Sequence, residues 1–448
     1  MTGPVDRLPR RLGTFSTASV LVGIIIGSGI FRVPSLVVAQ VGSVGAAAMV
    51  WVLGAVVTLC GALTLAELSA TYPHPGGAYV FLREAYGPLV AFLFGWIKLI
   101  VTGPAALAAV SLIFAAYAAS FVPLSDGEQR LLAAALLVVL VATNMRSVAW
   151  SAAVANLSTV AKVLALLVLA GLLFALGAPD QGAFAEPIIW SPTSWRGFGV
   201  ALIAVLWTYT GWVDITYLVG EVKNPGKSFP RAVLGGLGVV VLVYLLANAA
   251  YLYVLPLREV ANSPAVAARA AERVLGSAGT ALVAALVMLS TFGSLNGTIL
   301  ASPRVFYSMA ADGLFFRSVA AVHPRYRTPY VAVLLYLVLG ILGVATRTFE
   351  QLAQIFVLGI WPFYALAVGA VFVLRRRRRE GPPAYRTPGY PLVPAAFLLV
   401  SVAMLLNGLI QRPAETAASL GVLFLGIPAY YGWRTLQARR AGRAGWTP

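Results

Sequence analysis

The chain alternates long apolar stretches with short polar ones. Twelve hydrophobic segments can be traced, near 14–39, 43–70, 88–120, 130–146, 150–177, 196–221, 231–256, 277–309, 329–346, 350–374, 391–411 and 415–436. About 20 apolar residues are needed for a helix to cross the hydrocarbon core of a bilayer, and the segments have that scale. The pattern predicts an all-α integral membrane protein of twelve transmembrane helices in a single domain. The connections are short, with no soluble domain, low-complexity tract or coiled coil.

Two of the segments are interrupted. The first contains VLVGIIIGSGIFRVP at 20–34, with Gly27, Ser28 and Gly29 in its middle and Pro34 near its end. Glycine costs about 1 kcal/mol relative to alanine inside a helix, and a serine hydroxyl competes for local backbone groups. Either the helix unwinds here, or Gly23 and Gly27 form a small-residue packing face. An unwound joint in the membrane must have its freed N–H and C=O groups satisfied by protein or by a wet cavity, so it marks a polar site. The sixth segment, LIAVLWTYTGWVDITYLVGE at 202–221, is interrupted by Thr208, Thr210, Gly211 and Asp214. Breaks at corresponding positions of two halves point to an inverted repeat with a binding site at its centre. The halves are then 14–177, helices 1–5, and 196–374, helices 6–10, with helices 11–12 at 391–436.

Charge adds orientation. Of the 448 residues 10% are charged, against about 25% in soluble proteins, and the net charge is +17. The basic residues fall in alternate loops. One set, holding Arg7, Arg10, Arg11, Arg83, Arg146, Lys223, Lys227, Arg231 and the run Arg375–Arg379 among others, contains 21 Lys and Arg, against 7 in the other set. The positive-inside rule then puts both termini in the cytoplasm, as an even helix count requires. This distribution fits membrane topology and not nucleic-acid binding; the run at 375–380 reads as an anchor beside anionic lipid. The apolar segment after the basic N-terminus is too long for a signal peptide and is expected to be retained.

Candidate chemistry is sparse. Cys60 is the single cysteine and there are two histidines, so no metal cluster or disulfide is expected and His-based catalysis has little material. Nucleotide-binding and hydrolase signatures are missing, which excludes the common enzyme classes and ATP-driven pumping. No cofactor is implied. Lys162 lies about twelve residues into the fifth segment; it either snorkels or faces the bundle interior with partners. Asp214 can cap the second half-helix, carry a proton or meet a cationic substrate. Glu67 and Glu221 are expected to pair with loop Arg or Lys. Ser290, Thr291, Ser294 and Asn296 form a polar patch in the eighth segment, lining a cavity or joining helices. The loop at 71–87 is apolar enough to be a re-entrant or interfacial helix.

The blocks IIGSGIFRVP (25–34), AELSATYPHPGGAYVFLREAYGPL (66–89), LWTYTGWVDITYLVGEVKNPGKSFPRA (206–232) and SPRVFYSMAADGLFF (302–316) resemble the amino acid–polyamine–organocation superfamily, most closely prokaryotic members of its L-type amino acid transporter branch. The resemblance implies a twelve-helix, five-plus-five inverted-repeat fold with helices 1 and 6 unwound in mid-membrane. It implies that Gly27, Ser28 and Gly29 bind a substrate carboxylate, and that the carbonyls of Ile25, Trp207 and Thr210, beside Gly211, receive the α-ammonium. Trp207 would be the aromatic gate. Lys162 matches a helix-5 lysine that stands in for sodium in sodium-independent members, with Asp214 and Asn296 ordering the site. The loop at 123–129 has no cysteine, so no covalent heavy subunit is expected.

The implied activity is sodium-independent secondary transport of small neutral L-amino acids across the plasma membrane, by exchange or proton coupling. Two alternatives stand beside it: a cationic amino acid or polyamine carrier using Asp214 as counter-charge, and a membrane sensor that binds an amino acid without moving it.

Overall fold

A computed structural model describes residues 8–179, 192–346, 349–377, 383–411 and 413–444. Of the basic residues that set the orientation, Arg7, Arg347, Arg378, Arg379 and Arg412 lie outside these residues. The helices are α1 (Thr14–Ile25), α2 (Val33–Val41), α3 (Val44–Thr71), α4 (Ala78–Tyr86), α5 (Pro88–Ile97), α6 (Gly103–Ala118), α7 (Asp126–Arg146), α8 (Val148–Leu176), α9 (Pro192–Thr208), α10 (Pro225–Val254), α11 (Leu257–Asn262), α12 (Val266–Leu275), α13 (Ser277–Ala301), α14 (Pro303–Ala311), α15 (Tyr330–Thr346), α16 (Phe349–Arg377), α17 (Leu392–Gln411) and α18 (Pro413–Ala444). Seven helices among the described residues are long and apolar enough to cross a membrane, and α1, α15 and parts of α9 and α17 are shorter apolar helices. The protein is all-helical and multi-span, as the segment pattern predicts; most helix ends fall within a few residues of the segment limits, while α10 begins earlier, at Pro225, and α18 runs on to Ala444.

Local chemistry sets those ends. Ser43 caps α3 by accepting from the Ala46 N–H, and Ser125 and Glu128 form a reciprocal capping box at α7. Prolines open α5, α10 and α14, where a missing N–H costs nothing. Leucines on α8 and α17 such as Leu157 and Leu399 are exposed, as a lipid-facing surface requires. One feature differs from the expected short connections, and another, a helix in the 71–87 loop, follows the apolar pattern of that loop. α11 and α12 form a helical cover after α10, and the 71–87 loop contains α4, whose Ala78–Leu82 stretch is buried. Both pack on the core: the Ser35 hydroxyl at α2 donates to the Ala261 carbonyl at 3.3 Å, and the Ala78 N–H donates to Thr216 Oγ1 at 3.2 Å.

Three irregular turns lie at the centre. Between α1 and α2 the helix is replaced by a bend and a 3₁₀ turn, Gly29–Phe31. After α9 the chain turns and continues as a 3₁₀ helix, Asp214–Glu221. Between α5 and α6 there is a π-helical turn, Lys98–Thr102, which the segment pattern does not reveal. All three border one cavity.

Candidate functional site

At the first break the fate of each backbone group can be followed. The Gly23 and Ile26 carbonyls accept from Lys162 Nζ at 2.8 and 2.7 Å, and the Ile24 carbonyl accepts from the Ser294 hydroxyl at 2.9 Å. The Ile25 carbonyl accepts from Tyr244 Oη and from the Gly27 N–H, at 2.9 and 2.8 Å. The Ser290 hydroxyl donates to the Ile26 and Gly27 carbonyls at 2.9 and 3.0 Å. The acceptors released where α1 stops are thus all met by α8, α10 and α13. The donors are not. Among the described residues neither the Ser28 nor the Gly29 N–H makes a hydrogen bond. A buried backbone donor without a partner is rare, and two adjacent ones at the start of a helical turn form a receptor for an anion.

The second break supplies the other half. Gly211 has φ +119°, a conformation that side chains other than hydrogen resist. The Trp207 carbonyl already accepts from the Thr210 N–H and hydroxyl, at 3.0 and 2.6 Å. The Thr210 carbonyl has no hydrogen-bond partner among the described residues, so it is the free acceptor at this break. Tyr244 joins the two breaks, since its hydroxyl lies 2.9 Å from the Ile25 carbonyl and 3.3 Å from that of Thr208. Its ring packs with Trp51 and Tyr209 at 5.6 and 5.2 Å. Gly29 faces Thr208 so closely that an added Cβ would lie 2.6 Å from Thr208 Cγ2.

A cavity of about 100 Å³ lies between the breaks. Its wall includes Ile25, Gly27, Ser28, Gly29, Trp207, Thr210, Gly211 and Asp214 from the sequence reading, together with Lys98, Ser294 and Tyr336. Trp207 is half-buried at this wall. Lys162 and Asn296 do not line it. Lys162 is fully buried behind the first break, where it also donates to the Ser290 carbonyl at 3.1 Å; it does not snorkel. Asn296 accepts from Asn144 at 2.9 Å and donates to the Ser151 carbonyl at 3.2 Å, tying α13 to α7 and α8.

Asp214 does not cap the half-helix that follows it: the 3₁₀ segment has no side-chain cap. Lys98 has taken its carboxylate instead, with Nζ 2.6 Å from Oδ1. The partners of the two glutamates are also now visible. Glu221 pairs with Arg304 at 2.8 Å, and Arg304 belongs to α14, not to a loop. Glu67 pairs with Arg375, first of the arginine run, at 2.6 Å, and accepts from the Thr387 N–H and hydroxyl. Arg378–Glu380 of that run lie outside the described residues. Sequence reasoning missed Lys98, Arg304 and Tyr244. The first two carried a usable signal, a charge well inside an apolar run; Tyr244 carried none.

Residues 12–427 match the family model described as amino acid permease. Over 434 residues the chain is 32% identical to the serine/threonine exchanger SteT of Bacillus subtilis, covering 96% of this chain and 98% of that protein. It is 31% identical to the human cystine/glutamate transporter, over 95% of this chain and 85% of that one. It is 32% identical to the mouse b(0,+)-type amino acid transporter 1, over 95% and 90%.

Proposed function

The chain belongs to the amino acid permease family, and from that premise we propose a sodium-independent exchanger of small neutral L-amino acids, working by alternating access in the plasma membrane. The observation that carries the reading is the separation of free backbone groups at the two breaks. Ser28 and Gly29 offer N–H donors, and Thr210 offers a carbonyl acceptor, across one small cavity. A zwitterion needs an anion receptor and a cation receptor close together, and backbone dipoles at broken helices provide both without a buried net charge. Gly27 and the carbonyls of Ile25 and Trp207 border that site but already hold partners, so they shape it while Ser28, Gly29 and Thr210 bind.

Lys162 supports sodium independence. Its ammonium sits among the Gly23, Ile26 and Ser290 carbonyls, a cation bound by oxygen dipoles in the manner of a coordinated ion. Exchange is supported by similarity along nearly the whole chain to a serine/threonine exchanger. A cationic-substrate carrier would need a free Asp214, and Lys98 already neutralises it. In this reading the fold has twelve spans in a five-plus-five inverted repeat with cytoplasmic termini, and functions without a covalently attached heavy subunit.

The test is reconstitution of the full chain into proteoliposomes. Serine, alanine or leucine loaded inside is expected to drive uptake of the labelled amino acid equally in sodium and in choline buffer. Uptake that fails both under counter-substrate loading and under a proton gradient overturns the proposal.

A further inference from the structure

The Lys98–Asp214 pair is the one ion pair that borders the cavity among the described residues, and the site's backbone chemistry does not use it. Its construction is specific. The π-helical turn at Lys98–Thr102 adds a residue to the helix and so reorients the side chain at its start; such turns concentrate at functional positions. Gly103 closes the turn, and its missing Cβ leaves room for the Tyr336 ring, which would otherwise be 2.8 Å away. The Lys98 ammonium lies 4.8 Å above the centre of the Tyr217 ring. Tyr336 reaches the cavity wall fully buried, with its hydroxyl beside that of Ser302.

We propose that Lys98, Asp214 and Tyr336 form the side-chain subsite of the cavity and select amino acids whose side chain carries a hydroxyl or amide over aliphatic ones of the same size. This rests on the transport reading above and names its substrate class. The pair is neutral as a whole, so it presents no net charge to attract a cationic or anionic side chain. Each member keeps spare capacity: the ammonium has three N–H donors, of which Asp214 Oδ1 takes one, and the Asp214 carboxylate, which also lies beside the Tyr217 hydroxyl, has about four lone-pair sites with which to accept. A hydroxyl or amide both donates and accepts and can satisfy the two together. A methyl group in the same place strips these polar atoms of water and returns nothing. Sites built to hydrogen-bond a substrate group discriminate strongly against the analogue lacking it, whereas apolar pockets discriminate weakly.

The experiment compares near-isosteres, threonine against valine and serine against 2-aminobutyrate. Two readouts are taken on the full chain: counterflow in proteoliposomes, and ligand-induced thermal shift in detergent. Wild type is expected to favour threonine over valine by about tenfold or more in kcat/KM, with a correspondingly larger thermal shift. In the double variant Lys98→Met with Asp214→Leu the ratio falls to about one while valine is still handled; a merely structural pair would alter stability and lower both substrates together. Tyr336→Phe, which keeps the ring, is expected to lower the ratio several-fold, and it decides the matter should the double variant not fold. A wild-type ratio near one, or a ratio unchanged in the folded variants, overturns the subsite. If no amino acid is transported but the thermal-shift preference is present and lost in the variants, the transport reading fails and the subsite stands.

Discussion

Lys162 and Lys98 are both ammonium groups enclosed within the helix bundle, 0% and 3% exposed. Among the described residues Lys162 meets no carboxylate; three backbone carbonyls at 2.7 to 3.1 Å hold it. Two of them, those of Gly23 and Ile26, are free because α1 stops at Ile25, and the third, that of Ser290, comes from α13, so the lysine ties the break to its neighbour. Lys98 is held by a side-chain carboxylate at 2.6 Å and an aromatic face. The first arrangement surrounds an ammonium with the oxygen dipoles of the backbone. The second cancels a charge and leaves a polar but neutral surface. The same residue type is thus held by backbone dipoles at one place and by an opposite charge at the other.

The comparison breaks most sharply if one member of the neutral pair is removed. Lys98→Met leaves Asp214 buried without a partner and is expected to cost about 3–5 kcal/mol, visible as a large loss of Tm in detergent. The double replacement with Asp214→Leu should recover much of that loss; equal Tm in the single and double variants would count against a coupled pair. Lys162→Ala, which removes a charge that has no opposite charge, should destabilise by a smaller amount, about 1–3 kcal/mol for the acceptors left unmet, yet reduce exchange far more than folding. Wild-type rates in that variant, with and without sodium, would refute its role as a cation surrogate.

Smaller changes sharpen the geometry around the two lysines. Gly211→Ala at φ +119° is expected to cost about 1–3 kcal/mol in backbone strain and to raise KM, measured by counterflow, because it displaces the Thr210 carbonyl. Tyr244→Phe removes the bridge between the Ile25 and Thr208 carbonyls and should cost about 1 kcal/mol, read from thermal unfolding. At the outer helices, Arg273→Ala breaks an exposed pair with Glu259 and should move stability by less than about 1 kcal/mol, with exchange unchanged.

Much of this was legible along the chain. Apolar runs of membrane length predict the helices, and Gly27-Ser28-Gly29 and Thr210-Gly211 mark the two breaks, because local propensity and hydropathy are properties of adjacent residues. Lys162 stood out by the cost of a charge in an apolar run, and Lys98 was equally readable on that rule. Asp214 was visible, but its partner was not, since a cap three residues away and an ammonium from another helix look alike in one dimension.

The sequence by itself determined that the protein is a bundle of membrane helices with two interrupted ones, where backbone polar groups must find partners. The tertiary structure alone decided which groups find them. At the first break α8, α10 and α13 cover the carbonyls and leave the Ser28 and Gly29 N–H groups bare. Hydrogen bonds of that kind join residues more than a hundred positions apart. Their geometry follows from how helices pack, and nothing in the spacing of residues along the chain encodes it.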